Sequence, residues 1–359
     1  MNMKDNLEEN FRKEYEKARA EITKPNVLVL GGTGVGKSSL INSVFGDKVA
    51  SVGVGKPQTK GINKYSLDTI TIFDSEGYES GKDNQNKFKK EIVEFVTKRQ
   101  GSLVSQIHLA WYCISLPGHR VLDVDMETIA ELKANKVPVA LVFTKADEAS
   151  EAEENEMIAS VRKISPDLEI FIVSDQKDVD RPTQPLVDWS YENIDKAVKY
   201  GFAASARDNV KIKAKESKNI YLQHAALAAT AAASPIPMSD APLIMATQTT
   251  MMARLASLWQ LPALKSAVSG GVLTQLLSQI GRTLVGNALK FFPGVGSVAG
   301  GLLNATVASS ITAAVGWAVS DRAEKYTLEI INGNTPTFSE YFSFDVMEPL
   351  ISQYLKESR

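Results

Sequence analysis

GGTGVGKS, Gly31 to Ser38, stands between a run of β-formers, NVLVL at 26–30, and a helix-forming stretch, SLINSVFG at 39–46. The octapeptide satisfies G-x-x-x-x-G-K-[ST] in the strand–turn–helix context that gives this pattern its meaning. Glycines let backbone N–H groups curl around phosphate oxygens, and the N-terminus of the following helix adds positive potential. Gly31, Gly32, Thr33, Gly34, Val35, Gly36, Lys37, Ser38 and Ser39 are therefore read as a phosphate cradle. Lys37 is expected to reach β- and γ-phosphates, and the Ser38 hydroxyl to ligate Mg²⁺.

Outward from this loop the chain alternates short apolar runs with amphipathic helices. Further strands are expected at 69–74, 107–114, 138–144 and 169–173, with helices near 37–46, 84–100, 123–135, 151–164 and 189–199. Near-continuous β-formers suit strands buried on both faces, so the expected fold class is α/β, a mostly parallel sheet flanked by helices. After about residue 200 strand signals vanish, and an all-α region follows. The expected domains are an N-terminal amphipathic helix (1–24), a nucleotide-binding domain (25–200) and a helical domain (201–359). The chain has 359 residues, 44% hydrophobic and 23% charged, with net charge -2. That balance advertises no basic field for nucleic acid. Cys113 is the only cysteine, which excludes an intramolecular disulfide and argues for a cytoplasmic protein. The charged N-terminus has no apolar core of a secretory signal.

Three further segments narrow the chemistry. DSEG at 74–77 ends the next core strand and has the form D-x-x-G. Asp74 is expected to hold Mg²⁺, and the Gly77 N–H to sense the γ-phosphate. TKAD at 144–147 ends the strand PVALVF. There Thr144, Lys145 and Asp147 form a guanine motif: Asp147 can accept from N1–H and the 2-amino group, and the Lys145 stem can cover the base. Thr59, in the expected loop GKPQTKG, suits a contact to Mg²⁺ and γ-phosphate. Ser174, after EIFIV, suits a backbone contact to the guanine carbonyl, with Ala204–Ser205–Ala206 as a rival. Lys37, Thr59 and Gly77 are the catalytic candidates, and Ser38, Thr59 and Asp74 the metal ligands. The implied ligands are GTP or GDP with Mg²⁺.

GGTGVGKSSLIN, Thr59, DSEG, TKAD and Ser174 resemble, in order, the five signature motifs of Ras-like translation-factor-class P-loop GTPases, most of all the Era, septin and immunity-related branches. The stretch 233–258 resembles an uncharacterised helical domain found behind Era-like GTPase domains in bacteria. The resemblance implies GTP hydrolysis by a molecular switch. Two positions depart from it. Tyr78 stands where Ras-type proteins carry the water-orienting glutamine, which implies a slow enzyme completed by a partner, often a second copy. Gly34 replaces the asparagine of potassium-activated relatives, so no such potassium dependence is expected. Arg120 or His119, in PGHR at 117–120, is a candidate for stabilising transition-state charge across a homodimer formed through the nucleotide face.

Residues 291–320 carry no charge, and Leu303, Val307, Ile311, Val315 and Val319 make one stripe. A buried bundle helix is the favoured reading, with membrane association through 220–320 as the alternative. Met238, Met245, Met251 and Met252 are read as core, and Phe11 and Tyr15 as packing on the bundle. A ribosome or RNA role ranks lower, because the tail lacks aromatic–basic interleaving. A self-assembling, nucleotide-bound structural protein with little turnover is the remaining alternative.

Overall fold

The computed structural model describes residues 3–46, 49, 56–59, 61–78, 81–117, 120–176, 179–232, 240–260 and 300–357. The chain forms two compact units, Thr23–Asn209 and Met1–Ile22 with Val210–Arg359.

In the first unit the element order is β1 (Asn26–Gly31), α2 (Lys37–Phe45), β2 (Lys56–Thr59), β3 (Ile62–Ser66), β4 (Thr71–Ser75), α3 (Lys82–Thr97), β5 (Leu109–Ser115), α4 (Asp123–Ala134), β6 (Val139–Thr144), α5 (Glu151–Ile164), β7 (Glu169–Ile172), α6 (Gln184–Asn193) and α7 (Lys199–Ser205). The strands form one sheet of order β2-β3-β4-β1-β5-β6-β7. Strands β4, β1, β5, β6 and β7 run parallel, while β2 and β3 pair antiparallel at the edge. The α/β expectation holds, with every residue of β1, β5 and β6 buried. Strand alternation divides these side chains between two cores. Leu28, Leu30, Tyr112 and Ile114 join Phe88, Ile92 and Phe95 of α3 and Ile129 of α4. Trp111 points the other way, stacked on Phe45 at 5.6 Å and donating its indole N–H to Ser190 Oγ at 2.9 Å. The one polar need of a buried tryptophan is thus met.

The segment 55–61, expected as a loop, contributes β2. KPQT carries little β propensity, and it is a strand because it closes a hairpin with β3 on the sheet edge, where Pro57 is tolerated.

In the second unit the helices are α1 (Met3–Ala20), α8 (Val210–Ala232), α9 (Asp240–Trp259), α10 (Gly300–Ile331), α11 (Phe338–Phe342) and α12 (Phe344–Glu357). Small side chains bring the helices close: Ala228 and Ala232 of α8 cluster with Ala308 of α10. Ile311, Val315 and Val319 of the uncharged stripe are buried, as are Phe11, Met251 and Met252, whereas Met245 is exposed. Thr250 of α9 donates to Glu14 of α1 at 2.9 Å. Among the described residues no helix is long and apolar enough to cross a membrane. Met238, His119 and residues 261–299 lie outside the described residues.

Candidate functional site

Strand β1 ends at Gly31 and α2 begins at Lys37, so residues 32–36 of the octapeptide form the turn at the carboxyl end of a central strand. Gly31 has φ +137°, and a Cβ there would lie 2.1 Å from the Cys113 carbonyl oxygen of β5. Only glycine lets the loop pass so close to the neighbouring strand. Thr144, the first residue of TKAD, donates its hydroxyl to the Val35 carbonyl, and also lies 3.4 Å from Ile114 O. The guanine motif is thereby tied to the phosphate loop. Lys37 is buried and donates to Gly31 O (3.2 Å) and Gly32 O (2.8 Å). Ser38 and Ser39 are exposed on the first turn of α2.

Asp74, near the end of β4 and in register with Val29, is also buried. Its Oδ1 has no hydrogen-bond partner, and neither does Ser75 Oγ. Burial raises the Asp74 carboxyl to about 6, with the Lys37 charge opposing. Burial likewise lowers the Lys37 ammonium, with Asp74 opposing. A buried carboxylate with an unused oxygen calls for a cation, and a buried ammonium for an anion. The residues therefore fit a divalent ion and a phosphate chain together. Thr59 ends β2 opposite Ile62, which in turn faces Ser75. Two strand spacings place its backbone about 10 Å from Ser75.

The TKAD turn and the chain after β7 line a cavity of about 140 Å³ with Gly36, Leu40 and Ser43. Lys145 adopts φ +55°, a left-handed conformation unusual outside glycine, and turns the chain into the short helix that carries Asp147. Ser174 Oγ donates to Asp147 Oδ1 at 2.5 Å, and the Gln176 amide donates to Ser174 Oγ at 3.0 Å. The Ser174 amide, expected to face the guanine carbonyl, donates instead to Arg181 O at 2.9 Å. The Ser174 side chain is what reaches the pocket. The rival Ala204–Ser205–Ala206 sits beside the far end of α2, where the next residue, Arg207, donates its amide to Val44 O.

A second cavity, about 350 Å³, opens between the phosphate loop and the start of α4, lined by Gly32, Thr33, Tyr78, Gln85 and Arg120. Tyr78 donates its hydroxyl to Asp125 Oδ1 at 2.5 Å, and Tyr112 donates to the same oxygen at 2.7 Å. Sequence reasoning missed Asp125. The available signal was Tyr112: a tyrosine inside a strand buried on both faces must find a partner for its hydroxyl. Cys113 also borders this cavity, and burial pushes its thiol up to about 12.

Residues 26–145 match the family model described as "50S ribosome-binding GTPase". The "Probable GTP-binding protein EngB" of Cytophaga hutchinsonii is 33% identical over 155 residues, covering 42% of this chain and 75% of that protein. "GTPase Era" of Clostridium acetobutylicum is 26% identical over 179 residues, covering 48% of this chain and 57% of that protein. A solved structure titled "Crystal structure of a probable GTP-binding protein engB" covers 47% of this chain and 98% of its own at 20% identity and a TM-score of 0.36. Guanine-nucleotide binding and GTP hydrolysis follow from the family match and the EngB relative, and the chain belongs to the EngB-type family of P-loop GTPases.

Proposed function

We propose that this GTPase is a molecular switch of slow intrinsic turnover whose site is completed by a second copy through the nucleotide face. The observation that carries this reading is the commitment of Tyr78 to Asp125. With its one hydroxyl proton given to Asp125, the residue after DSEG cannot take the part of the water-orienting glutamine in the same way. Lys37 leaves the carbonyls of Gly31 and Gly32 to meet β- and γ-phosphate oxygens. Asp147, steadied by Ser174, accepts from guanine, and Lys145 covers the base. Ser38, Thr59 and Asp74 hold Mg²⁺, which when bound neutralises charge on the phosphate oxygens. Thr59 must travel inward from the sheet edge to do so, so the β2–β3 hairpin and 74–78 are the segments that change between GTP and GDP forms. The helical region 201–359 carries that change to an effector in the cytoplasm or at a membrane surface.

GTP hydrolysis measured against protein concentration, with and without liposomes, tests the reading. A specific activity that rises with concentration is expected, and Arg120→Ala should flatten that rise without weakening GDP binding. Negligible turnover at every concentration would instead identify a nucleotide-bound assembly subunit. Liposome-dependent turnover would place the helical region at a membrane.

The description of the matched family model favours one further reading, a ribosome-associated GTPase. Co-sedimentation with 50S subunits in the presence of a GTP analogue but not GDP would support it.

A further inference from the structure

We propose that Asp125 is a positioning residue for GTP: through the Tyr78 hydroxyl it holds the DSEG segment against the phosphate loop, keeping the Gly77 N–H ready for the γ-phosphate. The inference rests on the proposed role of Gly77.

Asp125 lies in the first turn of α4, outside the P-loop, DSEG and TKAD motifs, and is 1% exposed. Its Oδ1 accepts from Tyr78 and Tyr112, and its Oδ2 accepts from the Leu122 amide at 2.9 Å. An ionised carboxyl is acceptor-only, the form that suits three donors. Burial and the Asp125 charge raise both tyrosine hydroxyls well above their ordinary value, so they stay protonated donors. Tyr112 and Leu122 belong to the rigid frame of β5 and α4. Tyr78 belongs to the segment that must recognise the third phosphate. The carboxylate therefore joins a fixed wall to a changeable strand end.

The other end of the segment is equally tight. A Cβ on Gly77 (φ +83°) would lie 2.7 Å from Thr33 N and 2.8 Å from Gly32 C. The Thr33 amide donates to Tyr78 O at 3.4 Å. Gly77 and Tyr78 thus rest directly on the phosphate loop. The Tyr78 ring packs on Phe88 at 5.1 Å, but the 350 Å³ cavity opens beside it. Ring packing covers one side only, and on the cavity side the hydroxyl–carboxylate bond restrains the ring. A preformed contact lowers the ordering cost of binding, and only a ligand with a γ-phosphate collects that benefit.

The test measures affinities of the full-length chain, with Mg²⁺, for a non-hydrolysable GTP analogue and for GDP. Tyr78→Phe and Asp125→Asn should each weaken the analogue about tenfold, as expected for a hydrogen bond to a charged group, and change GDP affinity by less than about twofold. The double variant should be no weaker than Tyr78→Phe alone, because Asp125→Asn acts on the same bond by removing its charge and Tyr78→Phe deletes it. Tyr112→Phe, which spares that bond, should cost less than about threefold. Equal losses for analogue and GDP would assign Asp125 a purely structural role and overturn the proposal, as would additive losses. Should Asp125→Asn fail to fold, Tyr78→Phe alone decides between these outcomes. Gly77→Ala separates the two layers of inference. If it leaves the analogue-to-GDP ratio unchanged, the γ-phosphate role of Gly77 falls and the proposal with it. If it shifts the ratio while Tyr78→Phe does not, only the Asp125 restraint falls.

Discussion

Burial holds the Asp74 carboxyl at about 6 against 3.8 for the free group, because lost hydration outweighs the attraction of Lys37. The folded chain thus binds this proton more tightly than the unfolded one. Stability from this group is therefore greatest near pH 4 and declines as pH rises toward 6. Above 6 the nucleotide-free protein carries the full cost of a buried carboxylate. Asp74→Asn removes that cost and should stabilise the nucleotide-free protein by about 2–3 kcal/mol at pH 7, from the shift of roughly two pKa units. The gain should shrink as pH falls through 6 toward 4. Thermal melts of both proteins across that range check it, and a gain that grew on acidification would contradict the assignment. Mg²⁺ with nucleotide should stabilise the parent protein far more than the variant. At the base pocket, Ser174 fixes one oxygen of Asp147. Ser174→Ala frees the carboxylate to rotate and should weaken GDP about tenfold, the worth of one hydrogen bond to a charged group, read by nucleotide titration.

Elements position these residues by their ends. Parallel strands β1, β5 and β6 bring Gly31, Ser115 and Thr144 to the same edge of the sheet, and the β1–α2 and β6–α5 connections meet there. Thr144 makes the meeting rigid through its hydroxyl on the Val35 carbonyl. Thr144→Val keeps the shape of the side chain and deletes that bond, leaving a buried carbonyl unsatisfied. A loss of about 1–3 kcal/mol in unfolding free energy is expected, with weaker GDP binding beside it. Chemical denaturation with and without GDP measures both. The parallel strands and long helices were legible in the sequence, because a strand buried on both faces writes a continuous apolar run. The hairpin β2–β3 was not. Lys56, Pro57, Gln58 and Thr59 show no such run, and only the edge of β4 makes them a strand.

The two compact units divide the molecule unequally along the chain: the helical one gathers both termini, with Met1–Ile22 joining Val210–Arg359. Phe11 of α1 is 3% exposed although its helix is strongly charged, so one aromatic anchor secures a polar helix in that unit. Phe11→Ala should destabilise the helical unit by about 3–5 kcal/mol and leave GDP affinity unchanged. Calorimetry of the full chain, with GDP added to shift the transition of the nucleotide-binding unit alone, distinguishes the two. A single transition moved equally by mutation and nucleotide would show that the units unfold as one.

The amino-acid sequence alone determined the α/β class, and it carries the proposals of a phosphate cradle from Gly31 to Ser39 and of a guanine motif at Thr144, Lys145 and Asp147. Each is written locally, in strand periodicity, glycine spacing, or a few residues that must be contiguous to bind. Folding alone decided what lies between distant segments. Residue 144 could not announce its bond to residue 35, nor 174 its grip on 147, nor 125 its hold on 78 and 112. Such contacts carry no sequence period, because their spacing is set by sheet order and helix packing. Those same forces bury Asp74 and Lys37, opposite charges that offset each other only in part, a pattern that composition could not reveal.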